Sequence, residues 1–479
     1  MNSSTDASIF EIEPLRVIHP KNRDDLVASV SSLLKKRQSF TMRAGGTSIG
    51  GQAIGDGVIV DVSKYLTKII SFSKKNKEVV VEPGVIQDDL NNYLKEYSLK
   101  FAPDTSTSNR AMIGGMIGNN SCGAYSAYYG TTREHIKSVE VLLSDGSLVV
   151  FKEIKSKALK EKLILKTLEG DIYRFIINTL CKNKEKIINN FPDKDIIRRN
   201  TGYAIDELVR HYKPFNQNGK NFSLAPLICG SEGTLGVVIK ATLNLVELPK
   251  NKSLIVAQFK SEGKALRIVH ELMSFKPAAV EFIDAPTLES SKNNVEQNAN
   301  RSWIDGNPSA VLIIEFFNDN KNQLNDIVSK CKVWLKLNQS YSCSEIDFDD
   351  YKKVWSVRKA GLGLLMGNPG PRKALAVIED AALPLRYMYD YYRDVKKIIS
   401  YYNIEAVYYG HASVGLIHIR PKLDLSIDKD RRVMENIAKD VSKIVKKYKG
   451  SLSGEHGDGR IRAPYLEEQF GEEVYQLLV

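Results

Sequence analysis

Two glycine-rich segments constrain the fold of this chain more than any other feature of its sequence. The first, residues 43–52, reads Arg-Ala-Gly-Gly-Thr-Ser-Ile-Gly-Gly-Gln, and the second, residues 102–132, is rich in Gly, Asn, Ser and Thr. Both lie among runs of strand-like sequence. A connection as long as the second is uncommon inside a compact domain and is usually functional where it occurs. We therefore expect a ligand-binding cleft lined by backbone in this region.

The first segment has the chemistry of an anion-binding loop. Glycine lets the backbone approach a ligand closely, and successive N–H groups in such a loop can surround a phosphate. Thr47 and Ser48 add hydroxyl donors, which suits a pyrophosphate. The segment differs from a Walker loop because no Gly-Lys-Ser/Thr follows, and from a GxGxxG motif because a strand follows it instead of a helix. Taken alone, it could equally be a plain glycine-rich turn.

A third segment, residues 229–239, reads Cys-Gly-Ser-Glu-Gly-Thr-Leu-Gly-Val-Val-Ile. In order and spacing, the three segments resemble the FAD-binding domain of the vanillyl-alcohol oxidase/p-cresol methylhydroxylase superfamily. The resemblance implies that the first segment wraps the pyrophosphate, the second lines the isoalloxazine and ribityl chain, and the third lies near the adenine half. It implies that the following residues contact FAD: Arg43, Ala44, Gly45, Gly46, Thr47, Ser48, Gly50, Gly51, Pro103, Asp104, Thr105, Gly114, Gly115, Gly118, Asn119, Asn120, Gly123, Tyr129, Gly130, Glu232, Gly233, Gly236, Val238 and Ile239.

The same resemblance implies that FAD is bound without a covalent link. Covalent members carry a histidine in the first loop, where this chain has Gly46, Thr47 and Ser48. Cys122 could in principle attack a flavin, but packing in the interior is the commoner role for such a thiol. We therefore expect dissociable FAD.

Three of the seven histidines lie in two short motifs near the C-terminal end of the chain. His411 and His418 are seven residues apart, so on one unbroken strand they would face opposite sides, but Gly415 between them allows a turn. The second motif contains Glu455 and His456. Two histidines and a carboxylate match the ligand set of a catalytic divalent metal, and His456 would remain as a general base. Histidines with purely structural roles are the alternative interpretation.

These motifs, Gly-His-x6-His and Gly-Glu-His-Gly, resemble those of the FAD-linked D-2-hydroxy-acid dehydrogenases, which include D-lactate, glycolate and D-2-hydroxyglutarate enzymes. The resemblance implies that His411, His418 and Glu455 hold a divalent metal such as Zn, Mn or Fe. It also implies that His456 accepts the hydroxyl proton of the substrate while the C2 hydride moves to flavin N5.

Two arginines are candidates for binding the substrate. The segment Trp355-Ser-Val-Arg358 resembles the Trp-x-x-Arg of this family, whose arginine binds the substrate carboxylate through parallel hydrogen bonds. A surface ion pair is the alternative for Arg358. Arg420 stands where many members have Asn, and its Arg-Pro form resembles the long enzymes that join this flavoprotein unit to an iron–sulfur domain. A cation at this position could bind a distal carboxylate, which favours a diacid substrate.

Together, the resemblances predict FAD-dependent oxidation of a D-2-hydroxy acid, D-2-hydroxyglutarate or D-lactate, to the 2-oxo acid. Electrons would pass to an iron–sulfur, quinone or flavoprotein acceptor. An oxidase that uses oxygen and a non-catalytic flavin-binding protein remain as alternatives. The chain stops before the ending usual in the family, so we expect a truncated C-terminal domain and an iron–sulfur domain outside this chain.

The pattern of elements changes near residues 249–252, which predicts two domains in an α+β fold. Residues 12–248 are expected to form a two-subdomain FAD-binding domain of the p-cresol methylhydroxylase type. Residues 249–479 are expected to form a C-terminal α+β substrate domain with an antiparallel sheet. A hairpin is predicted at Ser138–Leu143 and Ser147–Phe151, with a type I′ turn at Asp145-Gly146.

Composition restricts the partners and the compartment. The net charge is +11, but the lysine runs are typical of solvated helix faces, and no aromatic-interleaved basic stretch indicates nucleic acid. The five cysteines are odd in number and lack CxxC spacing, which favours a reducing compartment. No apolar run approaches the ~20 residues of a membrane span. We expect a cytoplasmic protein, at most peripheral to the inner face of the membrane, and a homodimer is compatible with these features.

Overall fold

The computed structural model describes residues 3–367, 370–377 and 379–479 of the chain. The strands are β1 (Arg16–Ile18), β2 (Phe40–Arg43), β3 (Val58–Asp61), β4 (Ile69–Ser73), β5 (Glu78–Val81), β6 (Leu99–Lys100), β7 (Ile136–Leu142), β8 (Leu148–Lys152), β9 (Val237–Asn244), β10 (Val246–Glu247), β11 (Asn251–Phe259), β12 (Ala279–Asp284), β13 (Ala310–Asn318), β14 (Ser342–Ile346), β15 (Lys373–Ala374), β16 (Ala406–His411) and β17 (His418–Leu423). The helices are α1 (Arg23–Lys35), α2 (Gln87–Lys95), α3 (Ile113–Asn119), α4 (Ser126–Tyr129), α5 (Ser156–Leu163), α6 (Leu168–Asn190), α7 (Ile205–His211), α8 (Ala225–Ile228), α9 (Glu262–Arg267), α10 (Val269–Leu272), α11 (Ala285–Ser290), α12 (Val295–Ala299), α13 (Lys321–Leu337), α14 (Tyr351–Gly367), α15 (Met388–Tyr401), α16 (Asp428–Lys447), α17 (Gly459–Arg462), α18 (Leu466–Phe470) and α19 (Glu472–Tyr475).

Two larger sheets organise residues 12–248, the N-terminal half. One is parallel, in the order β1-β3-β2, and the first glycine-rich segment connects β2 to β3. Helix α1 covers this sheet because Leu26, Val30 and Leu33 recur at helical spacing and pack on its valines. The other sheet is antiparallel, in the order β4-β5-β9-β7-β8, and packs against α6 and α8. The cleft described below lies beside both sheets.

One seven-stranded sheet organises residues 249–479, the C-terminal half, in the order β14-β11-β13-β12-β16-β17-β15 with antiparallel pairs throughout. One face packs on α9, α13, α15 and α16, where Val280 and Phe282 of β12 are buried. The other face carries Ile283 of β12 against α11 and α14. Glu281 falls on this second face because side chains alternate along a strand. The arrangement confirms the predicted α+β fold with a C-terminal antiparallel sheet.

The turn between β16 and β17 brings its two histidines to one site. β16 ends at His411, a short 3₁₀ turn follows, and β17 begins at His418. Gly415 ends that turn with φ +70°, a conformation that favours glycine. The turn predicted from Gly415 is thus present.

Two local predictions were wrong. The hairpin of β7 and β8 forms, but Asp145 is not among the residues with positive φ, which a type I′ turn requires. Of the two predicted turn residues, only Gly146 has a positive φ, at +84°. The N–H of Gly146 donates to the carbonyl of Leu143 and closes the turn. The long glycine-rich segment is also less irregular than expected, because it contains α3 and α4.

Many of the surplus lysines lie on solvated helix faces. In α16, Ile437, Val441 and Val445 are buried while Lys443 and Lys447 point to solvent. Among the described residues, no helix has the length and apolar character needed to cross a membrane.

Candidate active site

A glycine-rich cleft opens between the sheets of the N-terminal half. Of the residues expected to contact FAD, those that line it are Arg43, Ala44, Gly45, Gly46, Thr47, Ser48, Thr105, Gly114, Gly115, Gly118, Asn119, Glu232, Gly233, Gly236 and Val238. All three glycine-rich segments therefore meet at one cleft. Gln52, Thr107 and Ser231 line it as well and add polar atoms that the motifs did not single out.

The cleft has room for a flat group against its backbone. At Gly233 a Cβ atom would have no heavy atom within 4 Å, and at Gly118 its nearest neighbour would be 3.9 Å away. At Gly115 it would meet only Ala44, at 3.6 Å. Side chains at these positions would fill the space, so their absence fits a dinucleotide cofactor.

The other residues expected at FAD do not line this cleft: Gly50, Gly51, Pro103, Asp104, Asn120, Gly123, Tyr129, Gly130 and Ile239. Asp104 and Gly123 line the neighbouring polar cavity instead. Asn120 is buried and donates to Asn200. Arg43 lines the cleft, but its guanidinium donates to the carbonyls of Ala53 and residue 5 and so supports the loop itself.

The neighbouring polar cavity, of about 640 Å³, lies between the two halves of the chain. The candidate catalytic and metal-binding residues all line it: Arg358, His411, His418, Arg420, Glu455 and His456. Thr47, Asn119 and His456 line both this cavity and the glycine-rich cleft. His456 therefore lies where the two spaces meet.

Three histidines converge on one carboxylate oxygen. Nε2 of His411, His418 and His456 lie 3.4, 3.2 and 3.4 Å from Oε1 of Glu455. The other Glu455 oxygen is paired with the buried guanidinium of Arg198. Burial opposes ionisation, but Arg198 and His411 outweigh it and hold the pKa of Glu455 well below its usual value.

The opposite ring nitrogens are held by two further carboxylates. Nδ1 of His411 lies 2.7 Å from Glu281. Nδ1 of His418 and of His456 lie 3.1 and 2.7 Å from the two oxygens of Glu379. With Nδ1 of each ring held by a carboxylate, each Nε2 faces the same oxygen of Glu455.

The donor atoms of this cluster could hold a metal ion. One ligand atom each from Asp380, His418, Glu455 and His456 lie within 4.8 Å of one another. Asp380 already accepts hydrogen bonds from a serine hydroxyl and from the N–H groups of Glu455 and His456. The predicted ligand His411 is not in this group, whereas the predicted base His456 is, although the Nε2 atoms of both lie 3.4 Å from the same Glu455 oxygen.

Two family models match the chain and together cover most of it. Residues 14–152 match an FAD binding domain, and residues 248–479 match the C-terminal domain of FAD linked oxidases. The chain belongs to the FAD-linked oxidases.

Relatives and solved structures agree with this family. The chain is 31% identical to the D-2-hydroxyglutarate dehydrogenase of Escherichia coli (strain K12), over 99% of this chain and 47% of that protein. It is 26% identical to a glycolate oxidase subunit of Bacillus subtilis, over 97% of this chain and 85% of that protein. The structure of p-cresol methylhydroxylase has a TM-score of 0.64 at 12% identity and covers 96% of this chain and 84% of its own, which establishes a likeness of fold. The chain spans about half the length of the D-2-hydroxyglutarate dehydrogenases it matches.

Several residues of this FAD-linked oxidase site carry no recognisable motif. Glu281 and Arg198 are single charged residues in separate elements, so sequence spacing does not connect them with the histidines. Glu379 and Asp380 did leave a signal, because two adjacent acids stand in the otherwise apolar run 374–384. Acidic residues are rarely buried unless they are paired, so such a pair indicates a polar network in the interior.

The two candidate substrate arginines are both paired with buried carboxylates. Arg358 donates to Glu281 at 2.7 Å, and its guanidinium lies 5.2 Å from the ring centroid of Tyr409. Arg420 donates to Glu379 at 3.2 Å, and its guanidinium lies 5.9 Å from the same ring centroid. The alternative of an ion pair at Arg358 is thus realised, although the pair lies in the cavity and not on the surface. Arg420 Nε has no hydrogen-bond partner among the described residues, so this side chain retains donor capacity.

Proposed function

We propose that this chain oxidises a D-2-hydroxy acid to the 2-oxo acid with FAD bound in the glycine-rich cleft. The observation that carries the proposal is the position of His456, which lines both the cleft and the polar cavity. A general base at this junction can take the hydroxyl proton while C2 of the same substrate faces the cofactor. The relatives named D-2-hydroxyglutarate dehydrogenase support the same reaction class.

The chain supplies the proton acceptor and the binding groups. Nδ1 of His456 donates to Glu379, so Nε2 is the atom that would receive the substrate proton. Burial opposes protonation of His456, but Glu379 and Asp380 outweigh it and raise its pKa, which makes it a stronger base. Arg358 would bind the C1 carboxylate, and Arg420 the distal carboxylate of a diacid. FAD, when bound, supplies the acceptor for the hydride that leaves C2.

We propose that FAD is held without a covalent bond. The tip of the first loop, Gly46-Thr47-Ser48, offers no histidine. Cys122 is a poor nucleophile because burial raises the pKa of its thiol far above the ordinary range. Mild denaturation should therefore release FAD and leave a polypeptide with no flavin attached.

We propose that His411, His418 and Glu455 hold a divalent cation, which would supply a Lewis acid for the hydroxyl and carboxylate of the substrate. The approach of both Nε2 atoms to one Glu455 oxygen and the Nδ1 contacts of both histidines support this assignment. Zinc, manganese and iron all accept such nitrogen and oxygen ligands.

Reduced FAD must pass its electrons to an acceptor. The long relatives contain residues beyond the part this chain matches, and we propose an iron–sulfur, quinone or flavoprotein acceptor outside the chain. A cytoplasmic site for this transfer and a homodimeric assembly are part of the same hypothesis.

Flavin absorbance under anaerobic conditions tests the reaction. D-2-hydroxyglutarate should bleach the FAD of the loaded protein faster than D-lactate, and the L enantiomers should leave it oxidised. Admission of oxygen then separates a dehydrogenase from an oxidase, because only an oxidase reoxidises rapidly with oxygen uptake. If no 2-hydroxy acid bleaches the flavin, the proposed function is wrong.

A further inference from the structure

Glu379 is a fully buried carboxylate in which both oxygens accept from two partners. Oε1 accepts from His456 Nδ1 at 2.7 Å and from Arg462 Nη2 at 2.9 Å. Oε2 lies 3.1 Å from His418 Nδ1 and 3.2 Å from Arg420 Nη2. The guanidiniums of Arg420 and Arg462 place positive charge beside this carboxylate in the interior.

The two histidines on Glu379 have different proposed roles. His418 is a proposed metal ligand, whereas His456 is the proposed base. Their rings are stacked, with centroids 5.3 Å apart and an interplanar angle of 21°. The carboxylate of Glu379 therefore contacts both rings, and its main-chain carbonyl lies 2.8 Å from His418 Nδ1 as a second acceptor. Each Nε2 lies beside the same oxygen of Glu455.

Glu281 provides an internal comparison. It is also fully buried and also pairs with an arginine, Arg358. It contacts only one of the three histidines, His411, at 2.7 Å. Glu281 can therefore orient a metal ligand without contacting the base.

We propose that Glu379 is a positioning residue that serves metal binding and proton transfer at once, by holding His418 and His456 as Nδ1–H tautomers. The proposal rests on the proposed function. It requires that loss of the Glu379 carboxylate impair both metal binding and the orientation of His456, whereas loss of the Glu281 carboxylate leaves His456 unchanged.

Glu379→Gln and Glu281→Gln form a matched pair, because each keeps the side-chain size and removes one acceptor oxygen. Titration of the FAD-loaded proteins with Zn²⁺ or Mn²⁺ should show weaker binding in both, by about 10- to 100-fold, as for other carboxylates that orient metal ligands. At saturating metal, the nitrogen-15 signals of the His456 ring should be unchanged in Glu281→Gln, because Glu281 contacts only His411 among the three histidines. In Glu379→Gln those signals should shift, and the limiting rate of flavin reduction at saturating metal and saturating D-2-hydroxyglutarate should stay about 10- to 100-fold low, because His456 is still misoriented.

Three results with these two variants would contradict the proposed role of Glu379. Full recovery of Glu379→Gln by added metal would overturn the proposal, as would unchanged metal affinity in that variant. A shifted His456 signal in Glu281→Gln would also overturn it, because the base would then depend on both carboxylates alike.

A measurement on the unsubstituted protein covers the case in which Glu379→Gln does not fold. Nitrogen-15 NMR of labelled histidines should show His418 and His456 protonated at Nδ1, with His456→Asn as the assignment variant. A proton on Nε2 instead of Nδ1 in either ring would overturn the proposal. The tautomers and the metal affinities stay measurable even if no 2-hydroxy acid bleaches the flavin, so the two hypotheses fail separately.

Discussion

His456 is fixed by its backbone as well as by its ring. Its N–H donates to Asp380 at 2.8 Å, and its carbonyl accepts from Gln52 Nε2 at 2.8 Å. Neither contact involves the imidazole. Removal of the ring should therefore leave the loop and the cleft in place, which makes this residue suitable for a clean test of its role.

We expect His456→Ala to retain FAD but to slow flavin reduction by the D-2-hydroxy acid at least ~10²-fold, the usual contribution of a general base. Stopped-flow absorbance measures the rate, and the flavin-to-protein ratio measures retention. His211→Ala, at a half-exposed histidine on α7, is the control and should reduce at the normal rate. An unchanged rate in His456→Ala would rule out the assigned role.

At the residue scale, motifs predicted groups that line the polar cavity but not the charged groups that hold them. Residue types and spacings that recur in one family identify four of these groups, namely His411, His418, Glu455 and His456. Glu281 and Arg198 are not recognisable in this way, because a buried charge acquires its partner only through the fold. Their pairs join residues 130 and 257 positions apart, which no local pattern encodes.

At the element scale, the turn between β16 and β17 determines whether His411 and His418 share a site. Gly415 has positive φ, and a Cβ there would lie 1.9 Å from the carbonyl oxygen of Leu383. That oxygen is backbone and cannot rotate away. The turn therefore tolerates only glycine at this position. This requirement explains why Gly415 in the sequence was enough to predict a turn between the two histidines.

We expect Gly415→Ala to destabilise the protein by about 1–3 kcal/mol from backbone strain alone and to weaken metal binding by displacing His418. Chemical denaturation and metal titration measure the two effects. Gly363→Ala is the control on α14, where a Cβ meets nothing within 4 Å, and should be neutral or stabilising by up to ~1 kcal/mol. Equal stability of the two variants would contradict this account.

A second element-scale prediction concerns Asp284, which caps α11 and joins β12 to β16. Its oxygens accept from Thr287 N and Tyr408 N, and burial raises its pKa to about 6. Because the folded pKa lies above the ordinary pKa, Asp284 stabilises the folded state fully only at pH values below the ordinary pKa. This stabilisation is lost as the pH rises through about 6. The carboxylate should thus cost on the order of 2–3 kcal/mol at neutral pH.

Asp284→Asn should remove this pH dependence. The variant loses one hydrogen-bond acceptor at every pH, which changes its absolute stability. The test is therefore the change of the unfolding free energy with pH. Unfolding free energies measured by urea denaturation from about pH 4 to pH 7 should fall for the unsubstituted protein relative to the variant. Parallel curves would show that Asp284 keeps its ordinary pKa in the fold.

At the scale of the whole molecule, the segment 454–460 connects the two halves. Asn119 donates to the carbonyl of Glu455, and Gly459 N donates to Glu232. Arg198 adds a buried ion pair to Glu455. These contacts surround the cleft, so a ligand that stabilises the cleft should also stabilise the C-terminal half.

Tryptophan fluorescence can test this coupling, because Trp303, Trp334 and Trp355, the three tryptophans of the chain, all lie in the C-terminal half. FAD at 100 times its dissociation constant should stabilise the folded protein by about 2.7 kcal/mol and raise the melting midpoint seen by tryptophan. If the halves unfold independently, that midpoint stays constant while flavin release moves to higher temperature.

The class of fold could be predicted from sequence because strand and helix patterns are local. The contacts between the halves could not, since they depend on pairs such as Arg198 with Glu455. The division near residue 248 remains a prediction. It follows from a change in pattern near 249–252 and is compatible with separate sheets on either side.

The buried pair of Arg198 and Glu455 also limits how such enzymes can be recombined. A chimera joined at residue 248 would take its arginine from one parent and its glutamate from the other. Where the parent of the N-terminal half lacks a matching cation, the hybrid would place an unpaired carboxylate in the interior. Exchange of substrate domains among relatives should therefore succeed more often when the segment around Arg198 is exchanged together with the loop at 454–460.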